Sequence, residues 1–234
     1  MKLFKYLLIF LFLSTLSIAQ SQKYFADAGV SYLMPVGGLK DRFNPALSYS
    51  ASFGGFSSES WSWAGKIEYL NFDKINPDKQ ILTREFVIDN NRQNFIYPVK
   101  NLQMTLKSYG ASVVGAYTVA GNDFFNARFN FGFGISKWEF ARSAYSDSLY
   151  APDSTGTQRL QENLIVPSLD QADWSGAVMA GLEFNVKVYD PVWITLAANY
   201  KAIIGELWAT LKLDMENVSM MQMGEIRLSV KALW

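Results

Sequence analysis

The chain has 234 residues in which Lys plus Arg and Asp plus Glu balance at 21 each, so no net field draws it towards nucleic acid. Aromatic residues make up 15% and charged residues 18%, against roughly a quarter charged in soluble domains, which tilts the composition towards a membrane class. Cysteine and histidine are absent, which excludes disulfides, thiolate metal sites and a lipidated N-terminal Cys, and removes the commonest general base and metal ligand.

Met1 to about Ala19 reads as a secretory signal. Lys2 and Lys5 give the positive start, Leu7 to Leu16 the apolar run, and Ser17-Ile18-Ala19 the small residues that predict cleavage before Gln20. A mature barrel domain is then expected over residues 20–234. No later stretch offers the roughly 18 apolar residues that a spanning helix needs, so a soluble β protein and a membrane barrel remain.

From there the sequence alternates with a period of two, as strands with unlike faces do. A first strand, about Lys23 to Met34, sets Tyr24, Ala26, Ala28, Val30 and Tyr32 against Asp27, Gly29 and Ser31. Pro35, Gly37 and Gly38 break it. The run Pro35-Val36-Gly37-Gly38-Leu39, followed by Phe43-Asn44-Pro45, resembles the first loop of small outer-membrane β-barrel proteins of the Bacteroidota type. A second strand, about Ala46 to Phe56, sets Leu47, Tyr49, Ala51 and Phe53 against serines, and a polar turn at Ser57 to Ser60 returns the chain. A third, Trp61 to Phe72, carries Trp61, Trp63, Ile67 and Tyr69 opposite Lys66 and Glu68.

Between Asp73 and about Asn101 the alternation lapses into a long loop, with Ile81 to Ile88 as a candidate extra strand. A fourth strand, about Leu102 to Val119, is read with Leu102, Met104, Leu106, Val114 and Ala116 on its apolar face and Gln103, Thr105, Lys107 and Tyr109 opposite. Gly110 and Gly115 are expected to bend it. After a turn at Ala120 to Asp123, Phe125, Ala127, Phe129, Phe131, Phe133 and Ile135 oppose Asn126, Arg128 and Asn130. A row of Phe in water is an aggregation hazard, so this face must meet lipid or a second sheet. Ala141 to Ala172 is a second long loop. A sixth strand, about Asp173 to Val188, turns at Tyr189-Asp190-Pro191 into a seventh, Val192 to Ile204, and a loop from Gly205 to Val218 leads to the last.

That last strand alternates strictly. Gly224, Ile226, Leu228, Val230, Ala232 and Trp234 share one face, and Glu225, Arg227, Ser229 and Lys231 the other. The pattern suits lipid on one side and a polar lumen on the other. It resembles the terminal strand of bacterial outer-membrane β-barrels, in which a final aromatic after alternating apolar residues is the assembly signal, usually Phe where this chain has Trp234. The resemblance makes Ile226, Leu228, Val230 and Trp234 the candidate signal for the barrel assembly machinery.

Short turns alternate with long loops, and Tyr24, Trp61 and Trp234 fall towards one edge while Tyr32, Tyr69, Trp174 and Tyr200 fall towards the other, as two interfacial belts require. Together with the signal, these features resemble the eight-stranded outer-membrane barrels of the OmpX and OmpA transmembrane type. The expected fold is therefore all-β: an eight-stranded antiparallel up-and-down transmembrane β-barrel with short periplasmic turns and long extracellular loops, in the outer membrane of a Gram-negative bacterium. No peptidoglycan-binding domain is read after Trp234, so the resemblance does not extend to cell-wall tethering.

The candidate lumen charges are Asp27, Lys66, Glu68, Lys107, Arg128, Glu183, Lys187, Lys201, Glu225, Arg227 and Lys231. They are expected to fill an interior barely wide enough for side chains with salt bridges; a narrow diffusion channel with weak anion preference is the alternative. A soluble lipocalin-like ligand-binding barrel would reverse the faces. Without His no Ser–His nucleophile forms, so the chain is read as non-enzymatic, with no catalytic, cofactor or metal residues. Asp147, Asp153, Asp170 and Asp173 lack the spacing of a calcium loop and read as solvated surface. Phe95 and Tyr97, with Arg84, Arg92 and Lys100, are candidates for touching lipopolysaccharide or an envelope partner. The function expected is structural, or surface-loop binding, alone or within a larger envelope or secretion assembly; no nucleic-acid partner is expected.

Overall fold

The structure, a computed structural model, describes residues 24–88 and 90–234; the signal segment read at 1–19 lies outside the described residues. The described strands are β1 (Tyr24–Val36), β2 (Ala46–Phe56), β3 (Trp61–Phe72), β4 (Ile81–Ile88), β5 (Asn91–Pro98), β6 (Met104–Gly121), β7 (Phe125–Arg142), β8 (Tyr145–Pro152), β9 (Gln158–Val166), β10 (Leu169–Tyr189), β11 (Val192–Ile204) and β12 (Met221–Leu233). Eight of them close into one antiparallel barrel in the order β1, β12, β11, β10, β7, β6, β3, β2. Every barrel strand has two neighbours, so no edge is left open. The connections at 57–60, 122–124 and 190–191 are tight, and they share one end of the barrel with the start of β1 and the end of β12.

Both long loops hold structure the sequence did not announce. Ile81–Ile88 is a strand as expected, but it pairs with β5, and β8 pairs with β9 across the second loop. β7 and β10 also run on past their expected ends, pairing as far as Arg142 and Leu169. These extensions and the two hairpins raise the barrel wall at the long-loop end.

The inward face changes character along several walls. On β7, Arg128, Asn130 and Ser136 face in over the lower part, and Trp138 and Phe140 face in above them; β3 passes from Lys66 and Glu68 to Leu70 and Phe72. β12, running the opposite way, goes from Met221 and Met223 to Glu225, Arg227, Ser229 and Lys231. The outward face inverts in step, Phe129, Phe133 and Ile135 giving way to Lys137 and Glu139 on β7. Along these strands the short-turn end is thus polar inside, and on β7 the long-loop end is the reverse, while outward Met34, Val36 and Ile204 keep the outer face of β1 and β11 apolar to the top.

This inversion corrects the fourth expected strand. On β6, Met104 and Leu106 are buried inside the upper barrel, Ala116 is buried inside the lower part, and Tyr109 and Val113 face out. The apolar face read there is therefore the inner one, and Lys107 is an exposed outer residue, not a lumen charge. The bends expected at Gly110 and Gly115 are absent from the pairing; the register shifts instead between Thr118 and Ala120. Gly115 has a different use. A Cβ there would lie 2.8 Å from the rings of both Phe131 and Trp63, which pack edge to face at 5.6 Å over the bare backbone.

Two approaches are equally tight: a Cβ at Gly54 on β2 would meet the Trp63 carbonyl at 2.1 Å, and one at Gly134 on β7 the Ala111 carbonyl at 2.1 Å and Ser112 Cα at 2.6 Å. At Gly134 neither neighbouring atom is free to move without parting β6 from β7. Gly134→Val is expected to destabilise the barrel by several kcal/mol, while Gly110→Ala, where the nearest atoms lie at 3.8 Å, stays near wild type. Urea titration of the refolded protein in lipid, followed by Trp fluorescence, checks the pair.

Candidate functional site

The lower interior is built from alternate residues of the barrel strands, which the pleat aims inward together. Asp27, Lys66, Arg128, Glu225, Arg227 and Lys231 are all buried there, with Glu68, Glu183 and Lys201 little more exposed. Removing Lys107 from the candidates, and Lys187, which lies at the short-turn mouth paired with Asp190 at 2.5 Å, leaves five cations facing four carboxylates. That near balance removes the anion bias expected from the longer list.

The charges form three connected groups. Glu68 takes Lys66 at 3.0 Å and Lys201, and Lys201 reaches Glu225 at 3.4 Å. Ser31 and Asn199 donate to the Glu225 carboxylate at 2.6 and 2.7 Å. Asp27 accepts from Arg227 and, at 2.7 Å, from Ser229, while Arg227 Nε donates to Ser50 at 2.9 Å. Glu183 is shared by Lys231 at 2.5 Å and Arg128 at 3.5 Å, and Asn185 donates to it at 2.8 Å. Each of the four carboxylates therefore touches a cation, and none stands beside a serine as an unpaired base. Chemically, the arrangement neutralises and cross-links the strands.

Both ends of this interior are covered. At the short-turn end Phe25 and Phe56 meet at 5.6 Å, with the Lys231 ammonium 5.3 Å from one ring and the Arg128 guanidinium 5.5 Å from the other. At the long-loop end an apolar core fills the barrel, with Leu33, Phe43, Phe72, Met104, Phe140 and Met221 among its fully buried members. Two cavities of about 50 Å³ each interrupt the packing, room for a few waters.

The loops above complete the cover. Leu39 and Phe43, from the Pro35 to Pro45 segment, are buried in the apolar core, Gly37 supplying the positive φ of 57° that starts the turn. Buried Arg42 donates to the carbonyls of Trp208 at 2.9 Å and Glu216 at 2.7 Å, pinning the 205–220 loop. Burial, and then the Arg142 guanidinium, lower its pKa to about 10, so it stays charged near neutrality. The candidate loop residues are engaged in the same way. Arg84 binds Asp214 at 3.0 Å and the Lys212 carbonyl, Tyr97 donates to the Tyr150 carbonyl at 2.8 Å, Phe95 packs on Phe86, and Arg92 pairs with Glu85 at 3.1 Å.

Of the four aspartates read as loop surface, Asp153 sits in the turn between β8 and β9, while Asp147 lies on β8 and Asp170 and Asp173 on β10. Asp153 accepts from the Thr155 hydroxyl at 2.6 Å and the Thr157 amide at 3.0 Å; the Thr155 bond leads the causes that hold its pKa near 2. Asp147 accepts from the Tyr145 hydroxyl and Asp173 from its neighbour's amide. The candidate assembly signal lies on the lower outer face, Ile226, Leu228 and Val230 pointing outward, and Trp234 exchanges backbone hydrogen bonds of 2.8 and 3.0 Å with Tyr24.

No protein-family model matches the chain, and no curated protein sequence matches it. Among solved structures, the major outer membrane protein of Thermus thermophilus aligns at TM-score 0.55 and 6% identity, covering 92% of this chain and 100% of that one. Neisserial surface protein A aligns at 0.45 and 12% identity, covering 91% and 99%, and the Yersinia pestis attachment invasion locus protein, solved with a heparin analogue, at 0.43 and 12%, covering 92% and 100%. At such identity the first likeness is one of fold: a closed barrel of the outer-membrane type.

The ion-pair groups make a mutational expectation. Glu183→Ala leaves Arg128 and Lys231 buried without their carboxylate and is expected to cost about 3–5 kcal/mol, whereas Glu85→Ala, which breaks an exposed loop pair, costs under about 1 kcal/mol. The urea midpoint of each variant in lipid checks the difference.

Proposed function

We propose that the chain is an integral outer-membrane β-barrel protein, exported with a cleaved signal segment, whose role is non-enzymatic: a sealed barrel carrying a braced loop platform at the cell surface. The observation that carries this reading is the pairing of outer and inner faces in the lower barrel. Phe133 is 60% exposed and Leu228 58% exposed on the outside, while Arg128 at 4% and Arg227 at 7% face in. Half a dozen such apolar side chains left in water would cost on the order of 10 kcal/mol, as much as the whole stability of an ordinary domain. Hydrocarbon removes that cost, and closed backbone pairing is what hydrocarbon demands of a β structure.

The aromatic residues support the same placement. Tyr24, Phe53 and Trp234 stack around the short-turn rim, Trp61 and Tyr117 meet at 5.0 Å beside them, and Tyr69 and Tyr109 meet at 5.0 Å towards the opposite edge. In this reading the short turns are periplasmic and the hairpins extracellular. Outer-leaflet lipid and lipopolysaccharide surround the barrel, the barrel assembly machinery inserts it, and an envelope partner meets the loops. The cross-linked lumen and its apolar cover speak against a diffusion channel, and the exposed phenylalanines speak against a lipocalin-like interior.

Cell fractionation tests the placement. The full-length protein is expected in the outer-membrane fraction, with faster electrophoretic migration before boiling than after, and in planar bilayers it is expected to give no stepwise conductance. Release with the periplasmic contents overturns the membrane reading; regular conductance steps overturn the sealed lumen.

A further inference from the structure

Among the described barrel strands, Lys107 on β6 and Lys137 on β7 are the only basic residues on the outer face; every other Lys or Arg of those strands lies on the inner one. The two are neighbours. Lys107 is paired in register with Glu139 and Tyr109 with Lys137, so the lysines stand on a diagonal with about 7 Å between their stems. Tyr69 lies beside Tyr109 and Trp174 beside Lys137, giving one continuous row of Tyr69, Tyr109, Lys137 and Trp174 across four strands. Next to this row, towards the short-turn end, the same wall exposes Ile67, Val113, Phe133 and Ile135.

A barrel surface meant only for hydrocarbon and water has no need to gather its outer cations on one wall. Glu139 binds Lys137 at 2.7 Å, and Lys107 forms no ion pair among the described residues, so the cluster keeps a positive charge. Both stems are long enough to reach from the sheet towards a headgroup. An ammonium is a compact point charge that suits a phosphate oxygen approached from several directions. The adjoining apolar wall and aromatic row select a phosphate carried on acyl chains over a free anion, which an isolated loop lysine would serve equally well.

We propose that this wall binds the phosphate of an anionic lipid headgroup in the outer leaflet, with Lys107 and Lys137 donating to its oxygens and Tyr69, Tyr109 and Trp174 flanking its acyl-proximal part. The proposal rests on the outer-membrane reading of the barrel. Glu139 competes with the phosphate for Lys137 and so limits its affinity.

Native mass spectrometry of the purified full chain in detergent micelles tests it, with bis-phosphorylated lipid A, phosphatidylcholine and inorganic phosphate as separate probes. Wild type is expected to retain lipid A in preference to phosphatidylcholine. The double variant K107Q/K137Q should retain it about tenfold less. The variant K74Q/K79Q, which removes the same charge from an exposed loop, should stay within about twofold of wild type. Glu139→Gln should raise retention, an effect that a merely structural role for the ion pair would not produce. Equal losses in the two double variants, equal retention of phosphatidylcholine, a fall in Glu139→Gln, or lysine-dependent binding of inorganic phosphate alone would each overturn the lipid site. The mobility shift on boiling separates the two layers. A wild type that lacks the shift and stays soluble without detergent sinks the membrane reading itself, whereas variants that keep the shift and bind lipid like wild type sink this proposal alone.

Discussion

An eight-stranded sheet closed on itself leaves an interior too narrow to stay empty and too dry to leave a charge alone. Everything that points inward must therefore pack or pair, and this chain does one in each half. Below, charged and hydroxyl groups knit the walls together, even across the barrel where Glu68 on β3 binds Lys201 on β11. Above, Leu33, Phe72 and Phe140 pack as they would in any soluble core. The ionic half need not be the more stabilising one, since burying such charges costs several kcal/mol per ion before their attraction returns it. What it supplies is a near balance of charge inside a wall whose outer surface is largely committed to apolar residues.

Much of this was legible in the sequence. Where the inner face is polar, as in β1, β2, β7 and β12, strict alternation fixed both the strand and its orientation, and residues such as Arg128 and Arg227 point where the pattern put them. The rule behind that reading, greasy side out, holds only for the part of a strand wrapped by hydrocarbon. β6 begins in the upper barrel, where Met104 and Leu106 turn inward to a dry core, so the same rule applied from its first residue reversed the face and carried Lys107 with it. Alternation alone does not mark the height at which the surroundings change.

The hairpins escaped for a related reason. β5 begins with Asn91, Arg92, Gln93 and Asn94, and β9 with Gln158 and Arg159, so neither starts with a two-faced pattern. Their pairing comes from the partner strand and the turn, with Asn90 at φ 63° and Gly156 at φ 81° providing the reversals. The lumen residues were nameable one at a time, but their partners were not. Asp27 and Arg227 are 200 positions apart and meet only because the first and last barrel strands are neighbours.

That seam governs how the molecule can come into being. Until β12 lies against β1, the unfinished ring has two bare margins, each with a row of backbone donors and acceptors that oil cannot satisfy, at several kcal/mol apiece. An opened ring is therefore a poor resident of a bilayer, and piecemeal entry hairpin by hairpin is disfavoured. The ring has to be joined, or shielded by another protein's strand, by the time it leaves water, which makes the meeting of its two most distant segments the step on which its birth depends.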